Sequence, residues 1–427
     1  MSDLPPGAEA SLVRAQQLLQ QGRLPEAEHC YLQALSAMPR HPDALHGLAL
    51  CRLGREDHYA GALEAVDQAL ACDPNEPVYH ATRARVLVHL ERNDEALAAA
   101  DTAIGLDPTC TYAYTARAAA CFARQKWAEA EQAARAALAF DPDDSVAANQ
   151  LATALRLQGR LDENAEQIRG MLARDPEDAY THASAGWQAL QAGNRAQAEQ
   201  HFLEALRLDP GMEYAREGLL EAFRARSPVY RIYLAYCFRM AQLSPQARWG
   251  VIIGAYLLYR FASRLARESG NPMLALIVFA YVVFALWSHF AVPIGNLLVL
   301  RDRKARHALR PFERAEALGT GLPMVLAAGL FLVNLGLHSE VLTLVAITVA
   351  GVALPLRYVI SNARAAGRWV FGAIAGYILS VGLLVLLAPA AGEESIGHLL
   401  GPASVLAALL FLAAQFLAGL PSLYRRK

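Results

Sequence analysis

Polar and apolar positions divide the chain near residue 225. Before that point apolar residues recur at helical spacing in short stretches. These are broken by prolines on a fixed ladder: Pro39, Pro74, Pro108, Pro142, Pro176 and Pro210. The first step is 35 residues and every later one is 34. Asp precedes five of the six prolines (Asp73, Asp107, Asp141, Asp175, Asp209) and Met38 precedes the first. Asp-Pro stops a helix, because the residue before proline is pushed out of the helical region. Proline then suits the start of the next element. Five residues before the prolines stand Ala34, Ala69, Ala103, Ala137 and Ala205, with Met171 the exception; twelve before stand Ala27, Ala62, Ala96, Ala130 and Ala198, with Asn164 the exception. Gly22, Gly159 and Gly193 fall between the two helical stretches. Each unit thus reads as helix, turn, helix and stop, with alanines where the helices approach closely. Unit two, His41 to Pro74, carries one extra residue, expected near the turn at Arg55–His58. Tyr214 to Arg226 continues the pattern, with Leu219, Leu220 and Phe223 on one side, and reads as a closing helix.

After this the pattern changes twice. From Val229 to Leu243 apolar and aromatic residues at helical spacing are punctuated by Arg231 and Arg239. Such a helix suits the membrane interface or packs on the last repeat, and the residues leave both open. From Trp249 onward long apolar runs dominate. A membrane span needs about 20 mostly apolar residues. Six candidates appear: Trp249 to Leu265, Met273 to Leu300, Gly321 to Leu337, Val341 to Ile360, Val370 to Pro389 and Leu399 to Leu420. Arg260 and Arg264 lie in the first, Pro293 in the second. The expected organisation is a tail over 1–7, a repeat domain over 8–226, a basic amphipathic juxtamembrane helix over 227–248 and a membrane domain over 249–427.

The 34-residue helix–turn–helix unit with small residues at fixed offsets and a terminal proline resembles the tetratricopeptide repeat family. The resemblance covers residues 8–210, in six units. It implies an all-α chain: a right-handed superhelical solenoid, here followed by a polytopic transmembrane helix bundle. It also implies that the first helix of each unit lines a groove for a protein or peptide segment. Carried over by position, the groove candidates are Arg85, Tyr112, Thr115, Asn149, Thr153, Arg156, Tyr180 and Trp187. Arginine would pair with carboxylate and the aromatics would anchor apolar groups. Two features depart from the family pattern. The large aromatic early in the first helix is mostly missing, with Tyr114 the clearest instance, and the Lys/Asn clamp of chaperone-binding members is absent.

Charge sharpens the division. Residues 1–222 hold 33 acidic and 19 basic residues, a net −14; the remainder holds 7 and 20, a net +13. An acidic array is not a nucleic-acid footprint, which needs a basic stripe. In the second half the connections 301–316 and 357–368 and the tail Arg425-Arg426-Lys427 are basic; His338-Ser339-Glu340 and the loop with Glu393 and Glu394 are not. With six spans the positive-inside rule puts the basic set, the repeats and the C-terminus in the cytosol. The N-terminus lacks a basic region leading into an apolar core, so no secretory signal is expected. Few lysines (Lys126, Lys304, Lys427) against 36 arginines suggest a bacterial chain and its inner membrane.

Candidate chemistry is sparse. The six cysteines form no CxxC pair and read as reduced, buried thiols. His289 and Asn296 lie in the second span, Asn334 in the third and Gln415 in the sixth, and no Asp or Glu is expected at a central position, which disfavours proton-coupled transport. No P-loop, HExxH, dinucleotide fingerprint or intramembrane Gly-x-Ser-Gly is present. The reading is a non-enzymatic adaptor without cofactor, with a protein partner, membrane lipids and other membrane subunits as its contacts. The alternative is a transporter, channel or membrane enzyme with a regulatory repeat domain.

Overall fold

The computed structural model describes residues 6–302 and 305–391, and those between 403 and 424 other than 404, 408, 412, 415, 416, 421 and 422. Among the described residues every element is a helix. Contacts group them into two compact units. One is the chain up to Ala192 with Arg207–Pro210 and Met240–Arg248; the other is Gly193–Leu206, Gly211–Arg239 and the chain from Trp249 on.

The first unit is built of helix pairs: α1 (Pro6–Gln20) with α2 (Leu24–Ala37), α3 (Pro42–Leu53) with α4 (Tyr59–Cys72), α5 (Pro77–His89) with α6 (Asn93–Leu106), α7 (Thr111–Ala123) with α8 (Trp127–Phe140) and α9 (Ser145–Leu157) with α10 (Leu161–Arg174). Helix α11 (Ala179–Gln191) follows. The alanines of the ladder in these pairs are fully buried, as the pattern requires. The two substitutes, Asn164 and Met171, are buried as well. The extra residue of unit two sits where expected, in a 3₁₀ turn over Glu56–His58.

Asp-Pro does more than stop a helix. Asp73, Asp107, Asp141 and Asp175 take extended conformations, and each N–H still donates to the carbonyl four residues back. Each carboxylate then accepts the N–H of the residue after the proline: Asn75, Thr109, Asp143 and Glu177, at 2.8–3.2 Å. This is the local side-chain turn that Asp favours. A second contact recurs on the far side of the proline. His80 Nε2 donates to Pro74 O at 2.8 Å, Tyr114 Oη to Pro108 O at 3.1 Å and His182 Nε2 to Pro176 O at 3.0 Å. Except in the α3–α4 pair, where the 3₁₀ turn takes its place, the turn between paired helices uses a left-handed residue. Gly22, Gly159 and Gly193 supply it at φ 71°, 78° and 85°, whereas Glu91 and Gln125 adopt it at 60° and 58° with a Cβ in place.

The second unit contains α12 (Arg195–Leu208) apart from its last two residues, α13 (Glu213–Arg224), α14 (Pro228–Gln242) up to Arg239, and α15 (Pro245–Ser269) from Trp249 on. It continues through α16 (Pro272–Arg301), α17 (Pro311–Glu316), α18 (Leu322–Leu337), α19 (Glu340–Ser361) and α20 (Ala365–Ala391). Phe202 of α12 is fully buried and lies where a side chain on Gly218 of α13 would sit. A π-helical turn, Ala317–Gly321, joins α17 to α18, so that Pro311–Leu337 is one continuous stretch.

Three stretches are long and apolar enough to cross a membrane among the described residues: Pro311–Leu337, Glu340–Ser361 and Ala365–Leu386. Pro272–Ala285 and Trp287–Arg301 would make a fourth only if the pair, bent by 55°, were a single span. The expected first span is not among them, because Arg260, Arg264 and Arg267 interrupt α15. Residues 399–402, 404, 408, 412, 415 and 416 of the sixth candidate, the acidic loop around Glu393 and the basic tail lie outside the described residues.

Candidate functional site

The first helices of successive pairs are joined by a line of polar contacts. His46 Nε2 on α3 lies 2.9 Å from Thr82 Oγ1 on α5, and Thr82 donates to Tyr112 Oη on α7 at 3.4 Å. Arg85 Nη1 donates to the same phenol oxygen at 2.8 Å, its guanidinium 5.4 Å from the ring centroid. Gln150 of α9 donates to Thr115 O at 2.9 Å. Ser184 Oγ of α11 donates to Asn149 Oδ1 of α9 at 3.3 Å, and the Arg156 guanidinium lies 5.8 Å from the Trp187 ring centroid. Gln191 Nε2 donates to Arg156 O at 3.2 Å. Burial holds His46 neutral by pushing its pKa down to about 4 against the opposing pull of Asp43.

The eight residues carried over by family position divide by exposure. Thr115 and Asn149 are buried. Thr115 Oγ1 donates to Tyr112 O, and the Asn149 amide donates to Ser145 O at 3.0 Å and to Asp178 Oδ2 at 3.4 Å. Their polar atoms hold the array together. Arg85, Tyr112, Thr153, Arg156 and Trp187 are half-buried, and Tyr180 is 41% exposed. Arg85 with Tyr112 and Arg156 with Trp187 thus form two pre-ordered cation–aromatic pairs with surface to offer.

A second polar cluster lies within the other unit, and reading the sequence did not find it. Arg216 of α13 donates to Glu313 Oε2 at 2.9 Å and to Ala308 O at 2.8 Å, and pairs with Glu213. Arg310 also pairs with Glu213, at 2.6 Å. Arg224 donates through Nε and Nη2 to Asn296 Oδ1 at 2.9 and 2.7 Å, and through Nη1 to Glu221 at 2.6 Å. Tyr230 Oη donates to the other Glu221 oxygen at 2.8 Å. Arg226 bridges Glu199 and Asp302. Gly295 makes this approach possible: a Cβ there would lie 2.9 Å from Arg224 Cγ.

Electrostatics follow from this packing. The hydrogen bond from Arg216 keeps Glu213 below the usual carboxylate range, with Arg310 adding to it. Glu213, and then Glu313, raise Arg216 against the opposing effect of burial. Burial works against the charge on Arg224, but Glu221 and Tyr230 outweigh it and its pKa is raised. Removing one partner from such a buried set leaves an uncompensated charge.

A third pair places acids at the start of an apolar stretch, though not at its centre. Glu313 and Glu316 lie in the first turns of the Pro311–Leu337 stretch and both are buried. Arg357 of α19 donates to Glu316 Oε1 at 2.7 Å. It also donates to His289 O, the carbonyl left without a helical donor because Pro293 has no N–H. The sequence shows the segments 301–316 and 357–368 only as basic connections between apolar runs. Asp302, Arg310, Glu313 and Arg357 are instead engaged internally. The signal was available in the Glu-x-x-Glu of PFERAE, set among arginines. Among the described residues no three His, Cys, Asp or Glu side chains gather as a metal site.

Comparison with known proteins agrees with the repeat reading. A family model for tetratricopeptide repeats matches residues 12–77 and 82–145. No curated protein matches the chain significantly. Among solved structures, PilF of Pseudomonas aeruginosa is 20% identical over 52% of this chain and 98% of its own, with a TM-score of 0.40. A tetratricopeptide repeat protein of Parabacteroides merdae is 16% identical over 58% of this chain and 97% of its own, with a TM-score of 0.42. PilW, described as a widely conserved type IV pilus biogenesis factor, is 20% identical over 50% of this chain and 99% of its own, with a TM-score of 0.40. Over residues 12–77 and 82–145 the chain matches tetratricopeptide repeats.

Proposed function

We propose that the chain is a membrane-held adaptor: its tetratricopeptide array binds a protein segment in the bacterial cytosol, and its apolar helices keep that array, and the bound segment, at the inner membrane. The observation that carries this reading is the charge cluster around α13. A helix at the end of the repeats is ion-paired to the connection between the apolar helices 272–301 and 311–337, through Arg216 with Glu313 and Arg226 with Asp302. A flexible tether would need no such contacts. The pairs Arg85–Tyr112 and Arg156–Trp187 supply donors and aromatic anchors on successive repeats. These favour an extended segment with carboxylate and apolar side chains.

The test is affinity capture with the full chain, crosslinked in native membranes, against a triple variant R85A/R156A/W187A. Loss of one defined partner in the variant, with the chain still in the membrane fraction, is the expected result. An unchanged set of partners would reject the assignment of the binding face. A chain recovered in the soluble fraction would reject the membrane-held adaptor itself. The whole chain is needed, because ending it at 226 would strip Arg216 of Glu313, Arg224 of Asn296 and Arg226 of Asp302.

A further inference from the structure

We infer that α15 and the first half of α16 form a hairpin lying in the headgroup layer of an anionic lipid leaflet, on the same side as the 302–313 connection, rather than two membrane spans. This rests on the reading of the chain as membrane-held. Neither arm has the length to cross. Eleven residues, Trp249 to Tyr259, separate Arg248 from Arg260. At the rise of an α-helix they cover about 16 Å, against a hydrocarbon core of about 30 Å. A crossing α15 would leave the exposed Arg260 near the bilayer midplane, the costliest position for its charge.

The second arm is also short. Helix α16 bends by 55° between Ala285 and Trp287. Beyond the bend Phe290, Ala291, Asn296 and Val299 are buried in the unit, with Asn296 held by Arg224. That half faces protein, not lipid. The remaining stretch, Pro272–Ala285, has 14 residues, or about 21 Å.

The arms belong together. Tyr259 stacks on Tyr281 with centroids 4.7 Å apart. Tyr236 of α14 meets Phe284 edge-on at 5.0 Å. The pattern on α15 fits an interface. In its second half Arg260, Arg264 and Arg267 follow at steps of four and three, one face of a helix, and Trp249 and Tyr256, with the apolar Ile253 and Leu257 beside them, continue that face toward its start. Val251, Leu258, Phe261 and Leu265 occupy the other side and are exposed. A helix with arginines and Trp/Tyr on one face and large apolar residues on the other lies in the plane of the interface. Three arginines against Glu268 select an anionic surface.

Two measurements on the full chain test this. In sealed right-side-out and inverted vesicles, a membrane-impermeant maleimide is applied to S269C, H307C and E340C, and labelling is read peptide by peptide so that native cysteines do not interfere. The hairpin requires S269C and H307C to label from one side and E340C from the other. Labelling of S269C with E340C would overturn the hairpin while leaving the spanning helices intact. H307C and E340C labelling from one side would instead overturn the spanning reading, and the hairpin with it. The second measurement is spin-label depth at successive positions from 250 to 265 in vesicles containing phosphatidylglycerol. An in-plane helix gives depths that oscillate with the helical period, whereas a steady gradient of depth from 250 to 265 would refute it.

Discussion

Replacing Asn164 by alanine should stabilise the repeat array. The position belongs to the alanine ladder, twelve residues before Pro176, and the asparagine there is 1% exposed. Its Nδ2 and Oδ1 are both buried without a hydrogen-bond partner. A buried polar group without a partner costs about 1–3 kcal/mol, and asparagine is a poorer helix former than alanine by roughly half a kcal/mol. Against this, the substitution removes an amide-sized volume. Large-to-small changes cost about 24 cal/mol per Å³ of cavity that fails to collapse, and the ladder neighbours already close on alanine in the other units. The net expectation is a gain of about 1 kcal/mol. For a domain of this size that is a rise in Tm of about 2–4 °C. Thermal unfolding of the full chain in detergent, followed by helical circular dichroism, checks it. A fall in Tm would show that the amide is hydrogen-bonded in solution and that unit five is built around it.

Other consequences are as direct. Glu91→Gly should stabilise by about 0.5–1 kcal/mol, because the residue holds φ 60° with a Cβ; Gly193→Ala, at φ 85°, should destabilise by about 1 kcal/mol, and chemical denaturation reads both. The repeat array should lose stability as pH falls. His46, depressed to about 4 by burial, stays neutral in the folded state while the unfolded imidazole takes up its proton below about 6.5. The loss should therefore develop between those values, and His46→Gln should flatten the midpoint-against-pH curve there. Arg224→Met should cost about 3–5 kcal/mol by leaving Glu221 and Asn296 without their cation. Arg224→Met with Asn296→Leu should cost less than the sum of the two single changes, measured by the same thermal scan.

The repeats were legible in the sequence because their packing is periodic. Ala27, Ala62 and their successors sit at fixed distances from a proline, and small residues are what close helix pairs demand. The extra residue at Glu56–His58 was legible for the same reason. The polar line on the first helices was not. His46 meets Thr82 36 residues on, and Asn149 meets Ser184 35 residues on. The pairs use different residue types each time, so no repeat of composition marks them. The ion pairs between α13 and 302–316 were not legible, because each charge taken alone is an ordinary surface residue. Only the fold brings Arg216 to Glu313, 97 positions away. The apolar runs, in turn, announced helices but not their ends. Glu316 was placed outside the third span because no break in hydropathy shows that Pro311–Leu337 is continuous through a π-helical turn.

The most direct test of the adaptor reading is photocrosslinking from the binding face in intact membranes. A photoreactive amino acid is placed at the half-buried Thr153, three residues before Arg156 on α9, and separately at Leu203, which is exposed on α12. The account predicts a discrete adduct from position 153 that sediments with the membrane fraction, disappears with R85A/R156A/W187A and is not formed from position 203. Equal adducts from both positions, or an adduct that survives the triple variant, would contradict it.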